Sequence, residues 1–131
     1  PSAGTASYTG QVFWSNVGRA ERTHLNAVVA DFSSSVDFSN NSLSVMSQNT
    51  AYVDGSGNAF LSFEGLDVTG SAVLSGSGNG FSGTIQNSSG DVGSIDGWFY
   101  GPLAQEMGGV MALRVRSLGM RDATASFGAG Q

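Results

Sequence analysis

The chain has 131 residues, 40% of them hydrophobic, which is enough for one domain with a core of its own. It carries net charge −5 with five arginines, no lysine and no cysteine, which excludes disulfides and thiolate metal sites and leaves no basic stripe for a nucleic-acid backbone. Twenty glycines and two prolines amid abundant serine, threonine and asparagine suit short strands and tight turns, and no apolar run approaches the roughly 20 residues of a membrane helix.

Residues 1–5 read as a loose leader. The spacing predicts a first strand over Ala6 to Phe13, with Tyr8, Gly10, Val12 and Trp14 on one face. Ser15 to Thr23 is the most polar loop, carrying Arg19 and Arg22 toward His24, the only histidine. A second strand over Leu25 to Phe32 puts Leu25, Ala27 and Val29 on one side. Ser33-Ser34-Ser35 is expected to turn the chain, and Val36-Asp37-Phe38 to start the return through Leu43 and Val45. Asp54 to Asn58, between Ala51-Tyr52-Val53 and Ala59 to Phe63, is a hairpin signal. Glu64-Gly65 turns into Val68 to Leu74, and Gly76 to Gly80 and Asn87 to Gly90 are further turns flanking Phe81 to Ile85. The last strand, Ala123 to Ala129, turns Ala123, Ala125, Phe127 and Ala129 inward.

Between these lies the stretch that orders the chain. Asp96, Trp98 and Tyr100 alternate with Ile95, Gly97 and Phe99, the period of a strand. Gly101-Pro102 stops it, because proline cannot donate to a ladder and suits the first position of a helix. A single helical turn over Pro102 to Met107 follows, then a left-handed cap at Gly108-Gly109 and a resumed strand over Val110 to Val115. Glu106 near a helix C-terminus is electrostatically disfavoured, so backbone N–H groups or Arg114 or Arg116 should hold it. Tyr100, Pro102 and Glu106 read as structural, serving a strand–plug–strand corner.

Eight or nine short strands joined mostly by hairpins predict an all-β fold, a closed antiparallel eight-stranded barrel with a one-turn helix between the penultimate strands, over residues 1–131 as one domain. Outward positions are dominated by Ser, Thr, Asn and Gln without aromatic girdles, which argues against a membrane-spanning barrel. No Gly-x-Ser-x-Gly elbow accompanies His24, and the ten acids are scattered through turns and strand ends, so an enzyme is not expected. Asp54 to Asn58 lacks the later ligands of a calcium loop, and no metal site is expected.

Phe99-Tyr100-Gly101-Pro102, Ala104, Glu106 and Gly108-Gly109 also form a pattern that resembles the signature of the transferrin-binding protein B β-barrel domains, a family of exported bacterial surface lipoproteins and haemophores. Val29-Ala30-Asp31-Phe32 before a serine-rich turn and the alternating Ala/Phe chain end agree with it. The resemblance implies an exported, cell-surface, secreted or periplasmic protein with a signal peptide, in a lipoprotein also a lipidated cysteine, upstream of Pro1. It implies non-catalytic binding of a ligand or protein, with Trp14, Arg19, Arg22 and His24 on or beside the polar loop as the contact residues and Trp14 as an aromatic anchor. No cofactor is expected on that reading. The alternative is a small haemophore, with His24 as axial haem ligand (Met107, Met111 or a tyrosine less readily) and Arg19 and Arg22 pairing the propionates. A second alternative is a folding or export scaffold within a larger protein.

Overall fold

In β1 (Thr5–Ser15), Tyr8, Val12 and Trp14 are buried while Thr9, Gln11 and Phe13 face outward, the two-residue period of a strand with one wet side. A computed structural model describes residues 4–15, 27–54, 56–62, 64–75, 79–115 and 123–131. Eight further strands follow: β2 (Ala27–Asp37), β3 (Ser42–Val53), β4 (Ala59–Ser62), β5 (Val68–Leu74), β6 (Gly80–Gln86), β7 (Val92–Tyr100), β8 (Glu106–Leu113) and β9 (Ala123–Gly130). Every pairing is antiparallel, and eight strands close in the order β1-β2-β3-β5-β6-β7-β8-β9, with β9 returning to β1. The short β4 adds to β3 beyond the point where β5 leaves it. Closure pairs the backbone of the eight strands and leaves none of them as an edge open to aggregation.

The meander sorts its connections to two ends. At one end lie Gly4, the 38–41 turn, the β5–β6 connection, the 101–105 turn and Gln131. At the other lie the β1–β2 and β8–β9 connections, the β3–β4 hairpin, the 3-10 turn Glu64–Leu66 and the Asn87–Asp91 turn.

Four expectations change. Ser33-Ser34-Ser35 does not turn: β2 runs on to Asp37, because Ser34 is buried and donates to Ser44 O at 2.8 Å, which satisfies its hydroxyl inside the barrel. The turn sits at 38–41, where the Asp37 carboxylate accepts from Ser39 N (3.0 Å) and Asn40 Nδ2 (2.6 Å). Those bonds hold the Asp37 carboxyl below its ordinary pKa, the Asn40 side chain contributing most. In β2 the inward residues are Val28, Ala30 and Phe32, one step out of phase with the predicted face. At the start of the chain, Thr5 already pairs with Asp37, so the barrel begins inside the expected leader.

The fourth change concerns the ordering stretch. The predicted helical turn is a four-residue turn, residues 101–104, closed by Ala104 N donating to Gly101 O at 3.1 Å, and β8 has begun by Glu106. Left-handed conformations fall at Gly101 (φ 87°) and Ala104 (φ 54°), not at Gly108-Gly109. Those two glycines lie in β8 opposite Trp98 and Gly97, where a Cβ on Gly109 would come within 2.6 Å of Gly97 Cα. Glu106 therefore never meets a helix C-terminus; it stands exposed on the outside of β8 opposite Tyr100.

The interior is filled by side chains. Phe32 stacks on Phe127 (4.6 Å), Phe127 meets Phe81 (6.4 Å), and Phe81 meets Phe99 (5.3 Å). Phe99 in turn touches Tyr8 (5.7 Å) and Phe38 (5.5 Å). Beneath that cluster the Tyr8 hydroxyl donates to Ala104 O at 2.6 Å, and Gln131 Nε2 donates to the same carbonyl at 3.0 Å. Thus the signature's turn is tied to the first and the last strand at once.

Burial raises the Tyr8 pKa above its ordinary value, against a smaller lowering by Gln131. A raised pKa favours the protonated fold: the contribution is whole below the unfolded value of about 10 and is lost as pH climbs through the folded value. Melting temperatures measured from pH 8 to 12 are expected to fall more steeply above pH 10 for the wild type than for Tyr8→Phe. Parallel curves for the two proteins would contradict this.

Candidate binding surfaces

Arg19, Arg22 and His24 lie outside the described residues. Trp14 is described, and it corrects the expectation of an exposed anchor: the side chain is 6% exposed and belongs to the core. A strand that places Tyr8 and Val12 inward must place Trp14 inward as well. Its indole Nε1–H is buried with no hydrogen-bond partner among the described residues. Met107 and Met111 are likewise packed in the core, each 2% exposed, as are Tyr8 and Tyr52. Asp54 Oδ1 accepts from Ser56 N (2.9 Å) and Asn58 N (3.0 Å), so it works as a turn former.

The topology adds what spacing alone does not reveal. Ser15, where the β1–β2 connection departs, pairs with Thr124, where the β8–β9 connection has just arrived, and their hydroxyls are 3.0 Å apart. Segments 16–26 and 114–122 are therefore anchored side by side at one end of the barrel. Together they hold all five arginines and His24 against two of the ten carboxylates, Glu21 and Asp122. Asp54, Glu64 and Asp91 stand on turns at the same end, so the arginine-bearing segments are set among carboxylates.

A second surface lies on the outer wall. Trp98 (51% exposed) and Tyr100 (52%) project from β7, Val110 (51%) from β8 and Phe13 (51%) from β1. Trp98 faces Gly108 on β8, which faces Gly128 on β9. In this row Gly108 is buried beside the Tyr100 ring and Gly128 is exposed, and next to them lies a groove of about 580 Å³ lined by Thr9, Tyr100, Glu106, Gly108, Gly128 and Gly130. A neighbouring groove of about 540 Å³ runs between Phe13 and Val110 past Asp96. The outward positions of β2, β3 and β5 carry no aromatic ring; Ser33, Ser35, Ser44 and Ser71 are among them, together with the exposed Met46 and Val73. The expectation of outward positions dominated by Ser, Thr, Asn and Gln does not hold on the wall of β7, β8 and β1, and Tyr100, expected as a corner residue, is part of that wall. The signal was available: if Phe99 is core, Trp98 and Tyr100 must face out.

Among the described residues no helix is long and apolar enough to cross a membrane. The sequence matches, over residues 1–131, the profile of the C-lobe and N-lobe β-barrels of transferrin-binding protein B. No curated protein sequence matches it significantly. Among solved structures it is similar to two variants of the vaccine antigen transferrin-binding protein B from Haemophilus parasuis. The single tryptophan-to-alanine variant is 23% identical with a TM-score of 0.67, covering 100% of this chain and 27% of that one. The double variant is 24% identical with a TM-score of 0.67, covering 100% of this chain and 26% of that one. The chain thus spans about a quarter of the length of these structures.

Proposed function

This chain belongs to the family of C-lobe and N-lobe β-barrels of transferrin-binding protein B, and from that membership we propose that it is a non-catalytic, protein-binding barrel of an exported bacterial surface protein. The closed sheet is the rigid part, and recognition falls to the connections it displays. One observation carries the choice of end: segments 16–26 and 114–122 share it and hold all five arginines. Such an end suits a protein partner that presents carboxylates, with Arg19, Arg22 and His24 as contacts. Arginine forks pair carboxylates bidentately.

Transferrin, the ligand in the relatives' name, is the first partner to try. Immobilised transferrin is titrated with the barrel and with a variant whose 16–26 and 114–122 segments are replaced by Gly/Ser segments of equal length. Saturable binding that weakens as salt rises and drops at least tenfold in the variant supports the reading. Equal binding by both proteins removes the arginine-bearing end from it. The haemophore alternative has its own test in an absorbance titration with hemin. A Soret shift saturating at one equivalent and lost in His24→Ala would favour it, whereas identical featureless curves would discard it.

A further inference from the structure

We propose that the outer wall around Trp98 is a second docking site, independent of the arginine-bearing end, and that its occupant is a protein surface presenting an arginine or lysine side chain. The barrel itself explains its inward glycines. A Cβ on Gly10 would sit 2.6 Å from Ala129 Cα, and one on Gly83 would sit 2.7 Å from Ala72 Cβ. It also explains Gly108, whose Cβ would lie 3.2 Å from Phe127 O, but not the other outward ones. A Cβ on Gly128 would meet nothing within 4 Å, one on Gly130 would find only Gln105 O at 3.9 Å, and one on Gly80 would make ordinary contact with Gly97 O at 3.6 Å. None of these three has positive φ. Glycine inside a strand marks close approach by another chain when the strand's own packing does not require it.

What surrounds this glycine floor states the chemistry of the visitor. Exposed large apolar side chains, clustered and rimmed by polar groups, mark an interaction surface. Trp98 and Tyr100 rise beside the floor, and a Cβ on Gly108 would lie 3.4 Å from Tyr100 Cε2, so the tyrosine ring leans over it. Glu106 stands opposite Tyr100, and Asp96 is the next outward residue before Trp98 on β7. Neither carboxylate meets a cation among the described residues. Aromatic faces and carboxylates beside the open backbone of Gly128 and Gly130 attract one class of group, a cation on a slender stem. The stem lies on the glycine floor, the head stacks on the rings, and a carboxylate pairs it. Strands spaced about 4.8 Å apart leave the backbone at Gly128 and Gly130 open to such a chain beside the Tyr100 ring. Val110 and Phe13 extend the apolar contact beyond the cation, which suits a protein surface better than a lone small ligand.

The test uses a fluorescein-labelled peptide alternating arginine and valine, its citrulline counterpart, and a neutral hexasaccharide, each titrated against the intact chain at physiological salt. The expected result is saturable binding of the arginine peptide, with at least tenfold weaker binding of the citrulline form. Trp98→Ala and Gly128→Leu should each cost at least tenfold, the latter at unchanged charge. Glu106→Gln, isosteric and exposed, should cost several-fold and keeps the test alive if Gly128→Leu misfolds by circular dichroism. Equal binding to wild type and Gly128→Leu would reduce the effect to bulk charge and overturn the proposal. So would equal affinity for the citrulline peptide, no binding of the arginine peptide, or Trp98-dependent binding of the saccharide alone.

Discussion

Phe99→Ala is expected to lower the melting temperature by roughly 10–20 °C. Truncating a buried phenylalanine costs about 3–5 kcal/mol, and about 4 °C per kcal/mol is a fair conversion for a domain of this size. The effect should lie at the top of that range. Phe99 is the ring on which Tyr8, Phe38 and Phe81 converge, from β1, the 38–41 turn and β6. Three separate parts of the barrel lose a contact together, and rigid neighbours cannot collapse into the space. A scanning calorimetry shift below about 5 °C would show that the closed end repacks freely, contrary to this account.

The second large effect is a contrast between two glycines on the β1–β9 seam. Gly10→Val should cost 3 kcal/mol or more, the upper end of the roughly 1–3 kcal/mol typical of overpacking. Its Cβ would lie 2.6 Å from Ala129 Cα and 2.8 Å from Gly128 C, backbone atoms that move only if the seam opens. Gly128→Ala, one register step away on the outer face, should instead be neutral or stabilising by about 0.4–1 kcal/mol, because it restricts the unfolded chain without meeting anything. Chemical denaturation of both variants decides it. Similar destabilisation by both would mean that the outer glycines serve the fold after all, and the docking proposal would lose its floor.

Much of the architecture was legible because a barrel repeats one rule. Inward and outward residues alternate in β7 and β9 as their sequences demand, and Asp-Gly and Asn-Ser-Ser-Gly mark hairpins because they supply turn chemistry that strands avoid. The rule failed where a residue type serves two purposes. Serine is a turn former, yet Ser34 spends its hydroxyl on Ser44 O inside the barrel and lets β2 continue. Gly-Pro and Gly-Gly look like equivalent breaks, but only Gly101 takes the left-handed conformation. Gly109 is demanded by a neighbouring backbone that is remote from it in sequence. Trp14 reads as a loop residue by its neighbours and as a core residue by its phase, and phase prevails. The clustering of arginines at one end depends on which strands adjoin, which no local pattern encodes.

The seam between β1 and β9 joins residues 9–15 to residues 124–130, and Gln131 fastens it through Tyr8 and Ala104. During synthesis the first strand is therefore made long before its partner exists. At about 5–20 residues per second, β1 waits several seconds with one side unmatched, and β8 waits as well. Until the final nine residues emerge, the chain holds a sheet that cannot become a cylinder. Loop closure on this scale is slow compared with local hairpins. The last strand acts as a timer: a nascent barrel still lacking β9 remains an open sheet, and it locks only when β9 emerges to pair with both β8 and β1.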